Sequence, residues 1–255
     1  MRLFFIIFLL FHAHSIAAPR TLKFVLYFPQ VPPYMYTNDH SAQVHGIVPE
    51  SLAEFFEKQQ IDVRYVIDNR KGAEHRLYSG DVDAMLLAAN WAEQPQRLIF
   101  SVPLLTHRDY LYSMKPFAAG SDLRQWLPQR TVCTRQYYVY EALQPFFDAD
   151  TKRIDSSSEL AQMRMLLNGR CEYVYMNEHV ASWLQFNQFP TMKFYQSPQS
   201  FGNVGLTIAF HPKWQALLPE LNRYLLEQQR SGRFEKILQQ ELKKKGQFSP
   251  AFETN

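Results

Sequence analysis

The phrase Leu77-x-x-Gly80-x-x-Asp83 returns as Leu166-x-x-Gly169-x-x-Glu172, 89 positions later. In each copy the leucine lies at a helix end, the glycine supplies a left-handed residue that stops it, and the acidic residue opens a short apolar run. Residues 83–89 and 173–176 are apolar on both faces and bounded by polar residues, the pattern of a buried parallel strand. A chain that uses one helix–cap–strand unit twice is expected to build two α/β lobes on one plan.

Strands and helices alternate around these units. Strands are predicted at residues 21–28, 62–67 and 83–89, with helices at 49–58 and 73–79 between them. That order means a parallel sheet with crossover helices. The second unit is predicted to place strands at 131–134, 152–154, 172–176 and 192–195, and helices at 138–147, 159–168 and 178–186. Residues 100–115 carry a strand that leaves the first lobe and 116–122 connect. Residues 200–205 form a flexible return to a strand at 206–210 and helices at 214–229 and 234–245. Lobe one is therefore expected over 18–115 and 205–245, lobe two over 116–204, and a tail over 246–255. Two crossings make a hinge.

Residues 1–17 read as a secretory signal: Arg2 is the only charge, residues 3–11 are apolar, and Ser15 and Ala17 are small enough for cleavage before Ala18. The apolar run is too short to span a bilayer. The product is expected to be soluble and exported to the periplasm. The formal charge of +3 falls to +2 without Arg2, so nucleic-acid binding is not expected. The run Lys243-Lys244-Lys245 reads as a solvated helix end. Cys133 and Cys171 each lie beside a predicted buried strand. A disulfide and two free core thiols both remain open, because spacing does not show whether the Cα atoms come within reach.

Ligands of parallel sheets sit at the carboxyl ends of the strands. That nominates Tyr34 and Tyr36, on a proline-stiffened loop after the first strand, and Asn90 and Trp91 after the third. In order along nearly the whole chain, Pro32-Pro33-Tyr34, Gly46 before a helix, Gly80-x-x-Asp83, Phe100-Ser101-x-Pro103, Gly169-x-x-Glu172, Gly205-Leu206-Thr207-Ile208-Ala209 and Ser231-Gly232-Arg233-Phe234 resemble the family 3 bacterial extracellular solute-binding proteins. These are the type II periplasmic binding proteins of polar amino-acid importers. The resemblance implies a monomer of two lobes that close on a small-molecule ligand, hand it to a membrane permease or receptor, and use no cofactor.

The family's ligand anchors do not carry over. The position of its carboxylate-binding arginine, six residues before Phe100-Ser101, is Gln94, with Arg97 a turn further on as a substitute. The position of its ammonium-binding aspartate is Asn177, and Tyr137-Tyr138 replace its glycine-serine turn. With both charged anchors gone, a zwitterionic α-amino acid is a poor match, since a buried charge without a partner costs several kcal/mol. Tyr34, Tyr36, Trp91, Tyr137 and Tyr138, with Gln94, Arg97, Arg135 and Asn177 as polar groups, suit an aromatic, cyclic, sugar-like or cationic solute.

Other chemistry finds little support. No His-Glu-x-x-His pattern, nucleophile elbow, Walker motif or dinucleotide fingerprint is present. Asn177 and Glu178 read as a helix start. The alternatives are a sensing module for a membrane receptor and, on the same fold, a periplasmic cyclohexadienyl-type dehydratase, with Arg97, Arg135 and Glu178 cast in its roles.

Overall fold

The computed structural model describes residues 20–38, 41–118 and 122–244. The expected signal at residues 1–17 and the tail at 246–255 lie outside them. Strand β1 (Arg20–Tyr27) leads into the proline loop, then into a hairpin of β2 (Tyr36–Asn38) and β3 (Ser41–His45). Strands this short carry no alternating pattern, and the hairpin is absent from the sequence-based expectation. Gly46 then turns the chain into α1 (Ile47–Lys58) with φ +117°, where a Cβ would lie 2.5 Å from the Tyr34 carbonyl oxygen. Only glycine permits that approach. It lets the amides of Ile47 and Val48 donate to the carbonyls of Pro33 and Tyr34, tying the loop to the helix.

Next come β4 (Ile61–Asp68), α2 (Arg70–Ser79), β5 (Ala84–Leu86), β6 (Ile99–Phe100) and β7 (Leu105–Ser113). They are followed by α3 (Leu123–Trp126), β8 (Thr131–Arg135), α4 (Gln144–Phe147), β9 (Lys152–Ser156), α5 (Glu159–Leu167), β10 (Tyr173–Asn177) and α6 (Glu178–Asn187). The chain ends with β11 (Tyr195–Gln196), β12 (Asn203–Leu206), β13 (Ile208–Phe210), α7 (Leu218–Arg230) and α8 (Arg233–Lys243).

The first sheet has the order β4-β1-β5-β13-β6, with β4, β1 and β5 parallel and β13 antiparallel to its neighbours. The second has the order β11-β7-β10-β8-β9, with β10, β8 and β9 parallel. Strands β7 and β12 run antiparallel side by side, from Leu105 opposite Leu206 to Arg108 opposite Asn203, and join the two sheets. Residues 109–112 of β7 pair with β10, so this strand belongs to the second sheet rather than to the first-lobe segment predicted to end at 115. Residues 203–205, expected within a flexible return, form the strand β12 together with Leu206. Gly205 suits that position because a Cβ there would lie 2.7 Å from the Pro103 ring.

The repeated phrase has the same geometry twice. Gly80 (φ +81°) and Gly169 (φ +66°) are both left-handed. The amides of Gly80 and Asp81 donate to Leu77 and Arg76, and those of Gly169 and Arg170 to Leu166 and Met165. The Asp83 carboxylate accepts from the Lys23 amide at 2.7 Å, and that of Glu172 from the Thr131 amide at 3.0 Å. Each acidic residue therefore fastens its own strand to the neighbouring strand, which is a structural duty.

The helix expected over 138–147 shrinks to Gln144–Phe147. Pro145 has no amide to donate and is tolerated only in a first turn, so the helix starts beside it. The strand expected at 192–195 reduces to Tyr195–Gln196. Ser158 caps α5 by accepting from the Ala161 amide. Cys133 on β8 and Cys171 just before β10 are bridged, with Cα atoms 5.8 Å apart. Lys244 is not simply solvated: it pairs with Glu50 and Glu241.

Candidate functional site

The carboxyl end of the first sheet faces the second sheet across a cavity of about 300 Å³. The first sheet contributes Tyr27 at the end of β1, Leu86 at the end of β5 with residues 87–88 after it, then Asn90 and Trp91. The proline loop adds Val31 and Tyr34, and α2 adds its first residue, Arg70. From the second sheet come Arg135, residues 138–142 after β8, Glu159 at the start of α5, Tyr175 and Asn177. The joining strands supply His107 and Asp109 from β7, with Asn203, Val204 and Leu206 of β12 opposite.

Two contacts cross between the walls. The Tyr34 hydroxyl, on the first-sheet loop, donates to Asn177 Oδ1 at 3.0 Å and lies 3.2 Å from His179 Nδ1 and 3.4 Å from His107 Nδ1. Asn177 also caps α6 by accepting from the Val180 amide, so one carbonyl oxygen fixes both the helix start and the crossing. Arg135 reaches the Pro29 carbonyl at 3.4 Å while pairing with Glu159, and its guanidinium lies over the Tyr138 ring. On the opposite wall Arg70 pairs with Glu74 and donates to the Trp91 carbonyl at 2.7 Å.

Asp109 accepts from the Tyr175 hydroxyl at 3.1 Å, and His107 Nε2 stands 3.7 Å away. Burial, with the nearby charge of Glu178, pushes the Asp109 carboxyl up to about 6, against the lowering effect of the Tyr175 hydrogen bond. Burial drives the His107 imidazole down to about 3, and His179 is lowered by the same cause. The Tyr34 phenol is held well above its ordinary value, by burial first and then by surrounding carboxylates. At neutral pH the pair therefore presents a carboxylate beside a neutral imidazole, which stacks on Trp91.

Of the residues nominated from the sequence, Tyr34, Trp91, Arg135, Tyr138 and Asn177 line this cavity, as does Asn90. The other four lie off it. Tyr36 is buried behind the loop, where its hydroxyl donates to Glu241 at 2.8 Å and its ring meets Trp183. Gln94 accepts from Arg97 on a short 3₁₀ turn. Arg97 lies exposed over the Tyr78 ring and donates to the Tyr78 carbonyl, so it does not take the place of the family's arginine in the cavity. Tyr137 has φ +66° and is 60% exposed, its side chain turned to solvent at the position of the family's glycine.

Arg70, His107, Asp109 and Tyr175 were not foreseen. Arg70 stands at the carboxyl end of β4, a position that the strand-end rule does reach. The others sit inside strands, where only the pairing of β7 with β10 reveals which side faces the cavity. The expected polar set of Gln94, Arg97, Arg135 and Asn177 is thereby corrected: Gln94 and Arg97 drop out, and a second guanidinium, Arg70, and a carboxylate, Asp109, enter from other elements.

The profile of the bacterial extracellular solute-binding proteins, family 3, matches residues 25–244. The chain belongs to that family. Its structure is similar to that of a binding component of an ABC transporter from Wolinella succinogenes complexed with lysine, with TM-score 0.73 at 17% identity over 88% of this chain and 96% of that one. It is also similar to an amino acid ABC transporter substrate-binding protein from Streptococcus pneumoniae bound to L-arginine, with TM-score 0.70 at 16% identity over 88% and 94%. An ancestral amino acid-binding protein described as a precursor of cyclohexadienyl dehydratase gives TM-score 0.69 at 18% identity over 88% and 96%. No curated protein sequence matches the chain. The architecture is the two-lobed type II fold of periplasmic binding proteins, with β7 and β12 as the hinge crossovers.

Proposed function

We propose that this solute-binding protein is exported, captures a small solute in the cavity between its lobes and presents it to an ABC-type permease. The first lobe carries the β4-β1-β5-β13-β6 sheet and the second the sheet around β7 and β10. The observation that carries this reading is the cavity itself, about 300 Å³, walled by both sheets and bordered by the two strands that join them. A solute held there touches both walls, so its binding energy favours the closed arrangement that a permease can recognise. Ordinary pockets for small ligands share this mix of rings and a few convergent polar groups.

In this reading Tyr34, Trp91, Arg135, Tyr138 and Asn177 contact the solute, joined by Arg70 and Asp109. The protein binds without converting what it holds. Thermal melting of the purified protein against amino acids, amines, sugars and aromatic acids tests this, with recovered solute analysed by mass spectrometry. A saturating solute at about 100 times its dissociation constant adds about 2.7 kcal/mol of stability. A shift with the solute recovered intact supports capture, whereas conversion of prephenate-like or arogenate-like acids makes the protein an enzyme.

A further inference from the structure

We infer that Asp109 holds a positively charged group of the solute, and that this solute is an organic cation without a carboxylate. The inference rests on the solute-binding reading above. It starts from the charges facing the cavity. Arg70 is matched by Glu74 and Arg135 by Glu159, so neither guanidinium offers an unspent positive charge to an anion. Asp109 has no such match: among the described residues neither lysine nor arginine pairs with it. Its neighbours from each packed element are the Tyr175 hydroxyl of β10, the His107 imidazole of β7, and the rings of Tyr34 and Tyr112. Glu178 is already held by Arg108. The one further carboxylate on the wall, Glu141, is exposed. The walls thus carry surplus negative charge and no surplus positive charge.

A buried carboxylate in that state gains most from a cation brought by the ligand. The surroundings suit one. The Asp109 carboxylate sits beside Tyr175 and His107. The Phe201 amide donates to the Asp109 main-chain carbonyl and its ring lies 5.2 Å from that of Tyr175, while Trp91 stacks on His107. Aromatic faces around a carboxylate attract ammonium and guanidinium groups more than neutral solutes. A ligand carboxylate, by contrast, would share its arginine with Glu74 or Glu159 and meet that glutamate's like charge.

The test is calorimetric titration of the purified protein with choline, agmatine, putrescine and phenethylamine. Their comparators are 3,3-dimethylbutan-1-ol (the uncharged shape of choline), arginine (agmatine with a carboxylate) and glutamate. A cation is expected to bind, with its comparator weaker by roughly tenfold or more. Asp109→Asn is expected to weaken that cation by roughly tenfold or more at pH 7.5, while Arg97→Ala, outside the cavity, leaves it unchanged. Wild-type affinity should fall about tenfold from pH 7.5 to pH 5.0 as Asp109 takes its proton. Tyr175→Phe removes a donor that favours the ionised form, so the midpoint of that pH profile should move up. Binding of arginine, glutamate or a neutral solute in preference to every cation, or cation binding indifferent to Asp109→Asn, overturns the inference and leaves solute capture standing. No binding by any solute of the wider melting panel overturns both.

Discussion

Burial lifts the Asp109 carboxyl from its ordinary 3.8 to about 6, so the folded chain holds that proton more tightly than the unfolded one does. A group raised in this way stabilises the fold fully below its unfolded value and loses that contribution as pH climbs through its folded value. Asp109→Asn should therefore be more stable than wild type at pH 7.5, by up to roughly 3 kcal/mol, the cost of ionising a carboxyl that burial has lifted from 3.8 to about 6. The gap should close toward pH 4. Melting both proteins across that window checks it, and a variant less stable than wild type at pH 7.5 would show that the charge is compensated inside the fold. Gly46 makes a steric prediction at the same scale. Gly46→Ala presses a methyl onto the Tyr34 carbonyl and strains a φ of +117°, so it should cost roughly 1–3 kcal/mol in denaturant unfolding.

Pairs of elements carry the next level of the argument. The bridge from Cys133 to Cys171 fastens β8 to the entrance of β10 across a sequence separation of 38. Loop-closure entropy for that span is about 4 kcal/mol, so the Cys133→Ala/Cys171→Ala protein should lose roughly that much unfolding free energy. Equal stability of the two in urea would contradict it. The repeated helix–cap–strand phrase was readable because its parts are local: Gly80 and Gly169 each end a helix within a few residues, and Asp83 and Glu172 each start a strand. The family resemblance was readable for the same reason, as short motifs in a fixed order. Half of the site was not. Tyr34 and Trp91 follow strand ends and could be placed from sequence, but Asp109 and Tyr175 become cavity residues only through the antiparallel pairing of β7 with β10. Tyr36 and Arg97 show the converse error. Each sits next to the cavity in sequence but is drawn off it by a long-range partner, Glu241 for the first and Tyr78 for the second.

For the whole molecule, the two lobes meet through β7 and β12, through Tyr34 to Asn177 and Arg135 to Pro29 at the cavity, and through the packing of Tyr36 against Trp183 behind it. Tyr34→Phe deletes the hydrogen bond to Asn177, worth about 1 kcal/mol to the closed arrangement, together with the hydroxyl's contacts to His179 and His107. Solute affinity should drop roughly fivefold, with a larger radius of gyration in small-angle scattering; an unchanged affinity would mean that the crossing bond does not favour closure. Capture in the cavity is tested most directly by thermal melting of wild type and Trp91→Ala against one broad solute panel. The account predicts that at least one small solute raises the wild-type melting temperature and that the same concentration leaves Trp91→Ala nearly unmoved. A panel without a single hit, or a shift that survives the loss of Trp91 undiminished, would contradict it.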